Sequence, residues 1–220
     1  MIVFQDRKEA GRKLADKLAK YTDEKEIIVL ALPRGGVAIG AEIAKKIGTS
    51  LDVIITRKIH FPGEPEFAIG AIAENGKVAL NDQIVKRYNI SQSYLDEEIC
   101  RQKAEIERRL IAYRDRKKLA FIKDKIVILV DDGVATGFTI IAAINALKDE
   151  GIKKLIVAVP VSPQDTFLKL KGLVDEIICL ETPEDFLAIG CFYYEFEQLT
   201  DEEVVQLIQN DKKNRSSKNI

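Results

Sequence analysis

The chain has 220 residues, with 34 Lys and Arg against 35 Asp and Glu and a formal charge of −1. That balance argues against a nucleic-acid or anionic-membrane surface spread over the whole chain. With 46% hydrophobic and 31% charged residues, it also falls outside disordered, collagen-like and coiled-coil-only classes. Three cysteines, Cys100, Cys179 and Cys191, show no Cys-x-x-Cys spacing. They read as reduced core thiols rather than a disulfide framework or a zinc site. Asp6, Arg7, Lys8 and Glu9 come before any apolar run of signal-peptide length, so a cytoplasmic protein is the expectation.

Ala10, Leu14 and Leu18 fall on one helical face, and the unbroken apolar run Ile27 to Leu32 predicts a strand buried on both sides. After a loop at Pro33, Val37 to Ile47 predicts a helix ending near Gly48, and Leu51 to Thr56 a second buried strand stopped by Arg57 and Lys58. Ile59 to Glu66, with two prolines and a glycine, is expected as a mobile loop. Phe67 to Glu74 and Lys77 to Leu80 flank Asn75-Gly76, a two-residue hairpin signal, so a β-ribbon should follow. Ser93 is the expected cap of a charged helix reaching about Arg116, whose apolar stripe Leu95, Ile99, Ile106, Leu110 and Tyr113 implies one-sided packing. Its acids and bases are interspersed, which reads as a solvated face rather than an RNA contact.

Lys125 to Val130 is a third buried strand, Phe138 to Lys148 a helix closed by Gly151, Leu155 to Val159 a fourth strand and Glu176 to Leu180 a fifth. This alternation predicts an α/β fold built on a doubly wound parallel sheet. Phe186, Phe192, Tyr193, Tyr194 and Phe196 then crowd together without helical period and suggest a small separate cap. The expected division is an α/β core over 1–180, a cap over 181–210 and a frayed polar tail over 211–220.

The strongest chemical signal runs from Val127 to Thr139: a buried strand delivers Asp131 and Asp132, then Gly133-Val134-Ala135-Thr136-Gly137 turns into a helix opening Phe138-Thr139. A turn of small residues at a helix amino terminus aims free N–H groups and the positive dipole end outward, which suits a phosphate, and Thr136 and Thr139 add hydroxyl donors. Adjacent carboxylates suit vicinal hydroxyls or a hydrated divalent cation. Together they describe a sugar-phosphate pocket. A receiver-like phosphoacceptor would also carry acids at a strand end, but would not need the Thr-Gly-Phe-Thr cradle.

At these residues the sequence resembles the type I phosphoribosyltransferase family, whose signature is a hydrophobic strand, two acids and a small-residue loop ending in Thr-Gly. The resemblance implies that Asp131 and Asp132 hold the ribose hydroxyls of phosphoribosyl pyrophosphate (PRPP). It also implies that Ala135, Thr136, Gly137, Phe138 and Thr139 bind the 5-phosphate, and that Mg²⁺ sits at Asp131 and Asp132, directly or through water. Leu32-Pro33-Arg34-Gly35-Gly36-Val37 looks like the family's pyrophosphate loop, with Arg34 as an oxyanion donor and Gly35 and Gly36 permitting close backbone approach. Arg57 and Lys58 match the basic residues that meet pyrophosphate before a closing loop. The cap corresponds to the family's hood, where an acceptor base usually stacks. After Val159 the Lys, aromatic and Asp arrangement of purine-specific relatives is missing, and the loop after Lys58 lacks the further Lys of orotate-specific ones.

The expected function is therefore Mg²⁺-dependent phosphoribosyl transfer from PRPP to a small nitrogenous acceptor, a step of nucleotide metabolism, with Asp131, Asp132, Arg57 and Lys58 as the catalytic set. Neither nucleic acid nor membrane is an expected partner, and the family's pairing is compatible with a homodimer. A PRPP-sensing regulator with little turnover is the alternative, and a sugar-phosphate hydrolase a weaker one. His60, the single histidine, reads as an exposed loop residue beside Phe61 and Pro62 rather than a general acid or base.

Overall fold

Apolar runs without polar alternation form strands only if both faces are covered, and the computed structural model, which describes residues 3–117 and 119–216, covers them in this way. Helix α1 (Arg7–Lys17) leads to β1 (Ile27–Ala31), α2 (Gly35–Ile47) and β2 (Ser50–Val53). An antiparallel ribbon follows: β3 (Thr56–Phe61), β4 (Glu64–Ala73) and β5 (Val78–Leu80). Then come α3 (Asp82–Arg87), the long α4 (Gln92–Arg114) and β6 (Ile126–Val130). The order closes with α5 (Phe138–Lys148), β7 (Lys154–Val161), α6 (Gln164–Lys171), β8 (Glu176–Glu181) and α7 (Asp201–Ser216).

The parallel sheet has five strands in the order β2-β1-β6-β7-β8. Side chains alternate across it. Val29, Ala31, Ile128, Val130 and Ile156 join Leu14 of α1, Ile39 and Ile43 of α2 and Val204 of α7 on one face. Ile28, Leu30, Val127, Leu129 and Val157 join Ile140, Ile144 and Leu147 of α5 on the other. This is the doubly wound α/β sheet read from the sequence. Each such Ile, Val or Leu contributes about 1.5–3 kcal/mol by leaving water, which is why these runs dominate the fold.

Several local readings are corrected. The stretch 59–66 is not a loop: β3 and β4 meet across a Pro62-Gly63 turn, because Ile59 is fully buried and Phe61 packs on Phe67 and Tyr88. The strand expected over Leu51–Thr56 breaks after Val53, so Arg57 and Lys58 lie near the start of β3, in the ribbon, rather than at the end of a parallel strand. Ser91, not Ser93, caps α4, its hydroxyl accepting from the Tyr94 N–H at 3.2 Å. Aromatic residues 192–193 do not form a separate cap: Phe192 and Tyr193 share one apolar cluster with Phe4 and α1, and Phe4 bridges to Tyr193. Residues 211–216, expected as frayed, continue α7, because Val204 and Ile208 are buried and the Asp211 carboxylate accepts from the Leu51 N–H at 3.1 Å. Residues 217–220 of that expected tail lie outside the described residues. Cys100 and Cys191 are exposed and Cys179 only half-buried, so they are not core thiols; the one-sided packing of α4 leaves Cys100 outward.

Beside α1, Glu176 of β8 accepts from Lys154 (2.8 Å), Lys20 (2.7 Å) and the Tyr21 hydroxyl (2.5 Å), tying the last sheet strands to the segment after α1. Burial pushes its carboxyl up, but these donors outweigh burial and bring it from 4.5 down to about 2. The fold therefore holds this proton less tightly than the unfolded chain does. Its contribution to stability is complete above about pH 4.5 and fades as pH falls toward 2. Urea unfolding across that window should show Glu176→Gln with a shallower loss of stability than the parent; identical slopes would exclude the cluster as an acid-sensitive tie.

Candidate active site

In the strand order β2-β1-β6-β7-β8 the chain reverses direction of growth between β1 and β6. In open α/β sheets that switch point leaves a crevice at the carboxyl ends of the strands. Here it is a cleft of about 750 Å³. Its floor is set by the β1–β6 pairing, which continues as Leu32 N–H donates to Val130 O at 2.8 Å. Pro33, Arg34 and Gly35 enter from β1, and Asp131 to Gly137 with Thr139 from β6. Arg57, Lys58 and His60 of β3 and Glu66 of β4 form the opposite wall. A second cleft of about 650 Å³, beside Glu74 and Arg114, contains none of the candidate catalytic or binding residues.

Gly137 caps α5 with φ 79°, a left-handed backbone that glycine adopts without strain. The loop before it is exposed at Ala135 and Thr136, while Thr139 sits in the first turn of α5. Phe138 is turned away: its ring is buried, with the Lys169 ammonium 5.7 Å from its centroid, and only its backbone remains for the loop. The two glycines after Arg34 differ in what they allow. A Cβ on Gly35 would overlap the Asp132 carboxylate and come within 2.9 Å of Arg7 Nε, so Gly35 makes room inside the cleft. A Cβ on Gly36 would meet Val130 O at 2.8 Å and Asp131 Cα at 2.9 Å, so Gly36 lets α2 approach the end of β6 and does not line the cleft. The Pro33–Arg34 peptide is cis.

The two acids occupy different surroundings. Burial, then the adjacent Asp132 charge, push the Asp131 carboxyl well above the usual carboxylate range. Asp132 is instead gripped by Arg7, whose Nε donates to Oδ2 at 2.8 Å, while Tyr193 donates its hydroxyl to Asp132 O at 2.7 Å. No third His, Cys, Asp or Glu joins them as a metal cluster among the described residues. Two hard oxygen donors without a cage fit an ion that keeps most of its waters and arrives with an anionic ligand.

Cations exceed acids along the rest of the cleft: Arg7, Arg34, Arg57, Lys58 and Arg109 all line it. Arg57 is partly buried, and that burial, then Arg109, lowers its hold on its proton. Its Nε donates to Gln102 Oε1 at 3.0 Å, while Arg109 Nε donates to Glu105 at 2.8 Å. Arg7 and Arg109 were not among the residues singled out in the sequence. For Arg109 a signal existed: Glu98, Gln102, Glu105 and Arg109 recur at helical spacing on α4 as a polar stripe, and Glu98, Gln102 and Arg109 are buried. For Arg7 there was none, because it reaches Asp132 from 125 residues away.

Within the cleft, the aromatic segment presents only Phe196, and that ring is already in contact with other side chains. Arg7 Cζ lies 3.9 Å from the Phe196 centroid and Tyr193 stacks on the same ring at 4.8 Å. At those separations the two cannot share one face, so both faces of Phe196 are covered. Phe186 and Phe192 stack on each other at 5.6 Å, and Tyr194 is exposed outside the cleft.

Replacing Gly36 with Ala forces backbone against backbone and should cost about 1–3 kcal/mol in urea unfolding. Gly35→Ala presses on the Asp132 carboxylate and Arg7, side chains that can swing away from the backbone, and should unfold within about 1 kcal/mol of the parent. The reverse order would show that Gly35, not Gly36, sets the packing of α2 on β6.

Residues 4–196 match the phosphoribosyl transferase domain family. Two Mycobacterium tuberculosis proteins, each named "Putative phosphoribosyl transferase" (MT0597 in strain CDC 1551 / Oshkosh, Rv0571c in strain ATCC 25618 / H37Rv), are 39% identical over 208 residues. The match covers 94% of this chain and 47% of theirs, so the chain spans about half the length of these curated relatives. The crystal structure of TT1426 from Thermus thermophilus is similar with a TM-score of 0.78 and 40% identity, over 95% of this chain and 99% of that one.

Proposed function

The chain belongs to the phosphoribosyl transferase domain family, and we propose that its cleft transfers the 5-phosphoribosyl group of PRPP to a nitrogenous acceptor with release of pyrophosphate. The observation that carries this reading is the convergence on one cleft of an anion-binding helix terminus, two carboxylates and a cationic wall. A sugar phosphate with a diphosphate leaving group has charge to match each part. Ala135 to Thr139, at the amino terminus of α5, takes the 5-phosphate. Asp131 and Asp132 take the ribose hydroxyls, with Asp132 oriented by Arg7. Arg34, the Gly35 backbone, Arg57 and Lys58 face the pyrophosphate.

Mechanism follows from where charge develops. As the bond from ribose C1 to pyrophosphate lengthens, the sugar becomes oxocarbenium-like and the departing oxygen gains negative charge. The carboxylates favour the first and the cationic wall the second, and because both are fixed in advance they need no reorganisation at the moment of reaction. Mg²⁺ bound with PRPP near Asp131 and Asp132 would supply further neutralisation of the leaving group. The β3–β4 hairpin, rather than a loop, forms the wall that excludes water.

Calorimetry with PRPP and Mg²⁺ should show binding to the parent, and Asp131→Asn with Asp132→Asn should lower the rate of pyrophosphate release by about 10²–10³-fold. Absence of PRPP binding to the folded parent would end the transferase reading. Arg57 and Lys58 act on charge that grows as the leaving group departs, so replacing both by Ala should lower kcat more than PRPP affinity across a panel of nitrogen bases. A double variant whose only defect is affinity, with a parent that turns over no base, would identify a PRPP sensor instead.

A further inference from the structure

The single histidine is built into a buried polar assembly that the reading above does not use. Glu98 of α4 is almost wholly enclosed, its side chain 1% exposed. Its Oε1 accepts from His60 Nδ1 at 2.8 Å and lies 3.3 Å from the His60 backbone N–H. Gln102 Nε2 donates to the same oxygen at 2.9 Å, and Arg101 closes on the other oxygen. Gln102 Oε1 then accepts from Arg57 Nε at 3.0 Å, and the Tyr94 hydroxyl donates to His60 O at 3.0 Å. Burial pushes the Glu98 carboxyl up, but the hydrogen bonds from His60, Gln102 and Arg101 win and hold it below the usual carboxylate range. An ionised, fully hydrogen-bonded carboxylate fixes Nδ1 as the protonated nitrogen. It therefore commits the second nitrogen, Nε2, to the opposite edge of the ring. No bond to Nε2 is made among the described residues, and His60 lines the cleft with Arg57 and Lys58.

We propose that His60 is a catalytic residue that donates its Nε2 proton to the departing pyrophosphate, with Glu98 as the positioning residue that orients the imidazole. The proposal rests on the transferase reading and adds the identity of the proton donor. When the C1–O bond breaks, its electron pair passes to the pyrophosphate oxygen. The Nε2 proton moves to that oxygen and the ring is left neutral, still hydrogen-bonded to Glu98 through Nδ1–H. The acceptor nitrogen forms the new bond to C1 and loses its own proton to solvent, and His60 recovers a proton from solvent before the next turn. Gln102 couples the two parts of the wall, since one side chain holds both the Glu98 carboxylate and Arg57. The charged and titratable groups around the ring are Glu98, Arg101 and Tyr94 on α4, Arg57 and Lys58 on β3 and Glu66 on β4.

The proposal can be tested without knowing the acceptor. Pyrophosphate brings negative charge beside the ring and so favours its protonated form. Magnesium pyrophosphate is titrated into the parent, His60→Asn, His60→Gln and Glu98→Gln in two buffers of different ionisation heat, which reads the protons taken up on binding. The parent should take up more protons per pyrophosphate than either His60 variant by a substantial fraction of one. The His60 variants should bind about 10–100-fold more weakly, measured on whichever of them stays folded. Glu98→Gln should lose proton uptake while retaining more affinity than the His60 variants. A brace with no chemical role predicts equal uptake and affinity in the parent and in whichever His60 variant folds, and that result would overturn the proposal while leaving PRPP binding, and the transferase reading, intact. A parent that binds PRPP but not pyrophosphate would also overturn it, whereas a parent that binds neither would remove both readings.

Discussion

The parallel pairing of β1 with β6 is the constraint on which the site depends. Ala31 opposite Val130 ends both strands at the same level, and the Leu32–Val130 hydrogen bond carries the pairing one step further. Two chain segments about a hundred residues apart therefore leave the sheet side by side. One must turn into α2 and the other into α5, and the absence of a side chain at Gly36 lets the first of these turns press against the backbone of the second. Slippage by one residue would exchange the faces of every following side chain. Asp131 would then leave the cleft, and Val130, wholly buried, would enter it. The hydrophobic alternation of β6 thus fixes the position of the acids as firmly as any contact they make.

Electrostatics then separates two carboxylates that are neighbours in sequence. Asp131 is partly enclosed and feels Asp132, so its charged form is disfavoured. Asp132 has a compensating charge in Arg7. A pair in which only one member is neutralised from within is suited to a ligand that carries a cation with it. The opposite wall follows the same logic with reversed sign. Arg57 is partly desolvated beside Arg109, a repulsive arrangement that an incoming polyanion relieves.

The layers of the fold were legible because burial on both faces leaves a mark in the sequence. Runs such as Ile126 to Val130 contain no polar residue, and the helix expected over Phe138–Lys148 has those bounds, although Asp149 rather than Gly151 caps its end. The loops that carry the site were legible because each follows such a strand directly. Where the reading failed, packing had overruled local composition. Pro62 and Gly63 look like loop residues, yet Ile59 is buried and the two residues merely turn a hairpin. The polar stripe of α4 looked solvated because charge on a helix usually is. Its burial arises from the ribbon packed across it, a contact no local window contains.

The same limit holds for the aromatic segment. Five aromatic residues in a short segment suggested a small cap, but the sequence could not show what else reaches those rings. Phe4 and Arg7 come from the opposite end of the chain, and Gln5 pairs with Glu195 at 3.0 Å along the same seam. Arg7 thereby does two things at once: its plane covers Phe196, and its Nε orients Asp132. Under the transferase proposal, an acceptor entering beside this seam would meet the Arg7 guanidinium stacked on Phe196. Recognition there would have to come from hydrogen bonds and charge, which reject a wrong partner more sharply than stacking does because unpaired buried donors are costly.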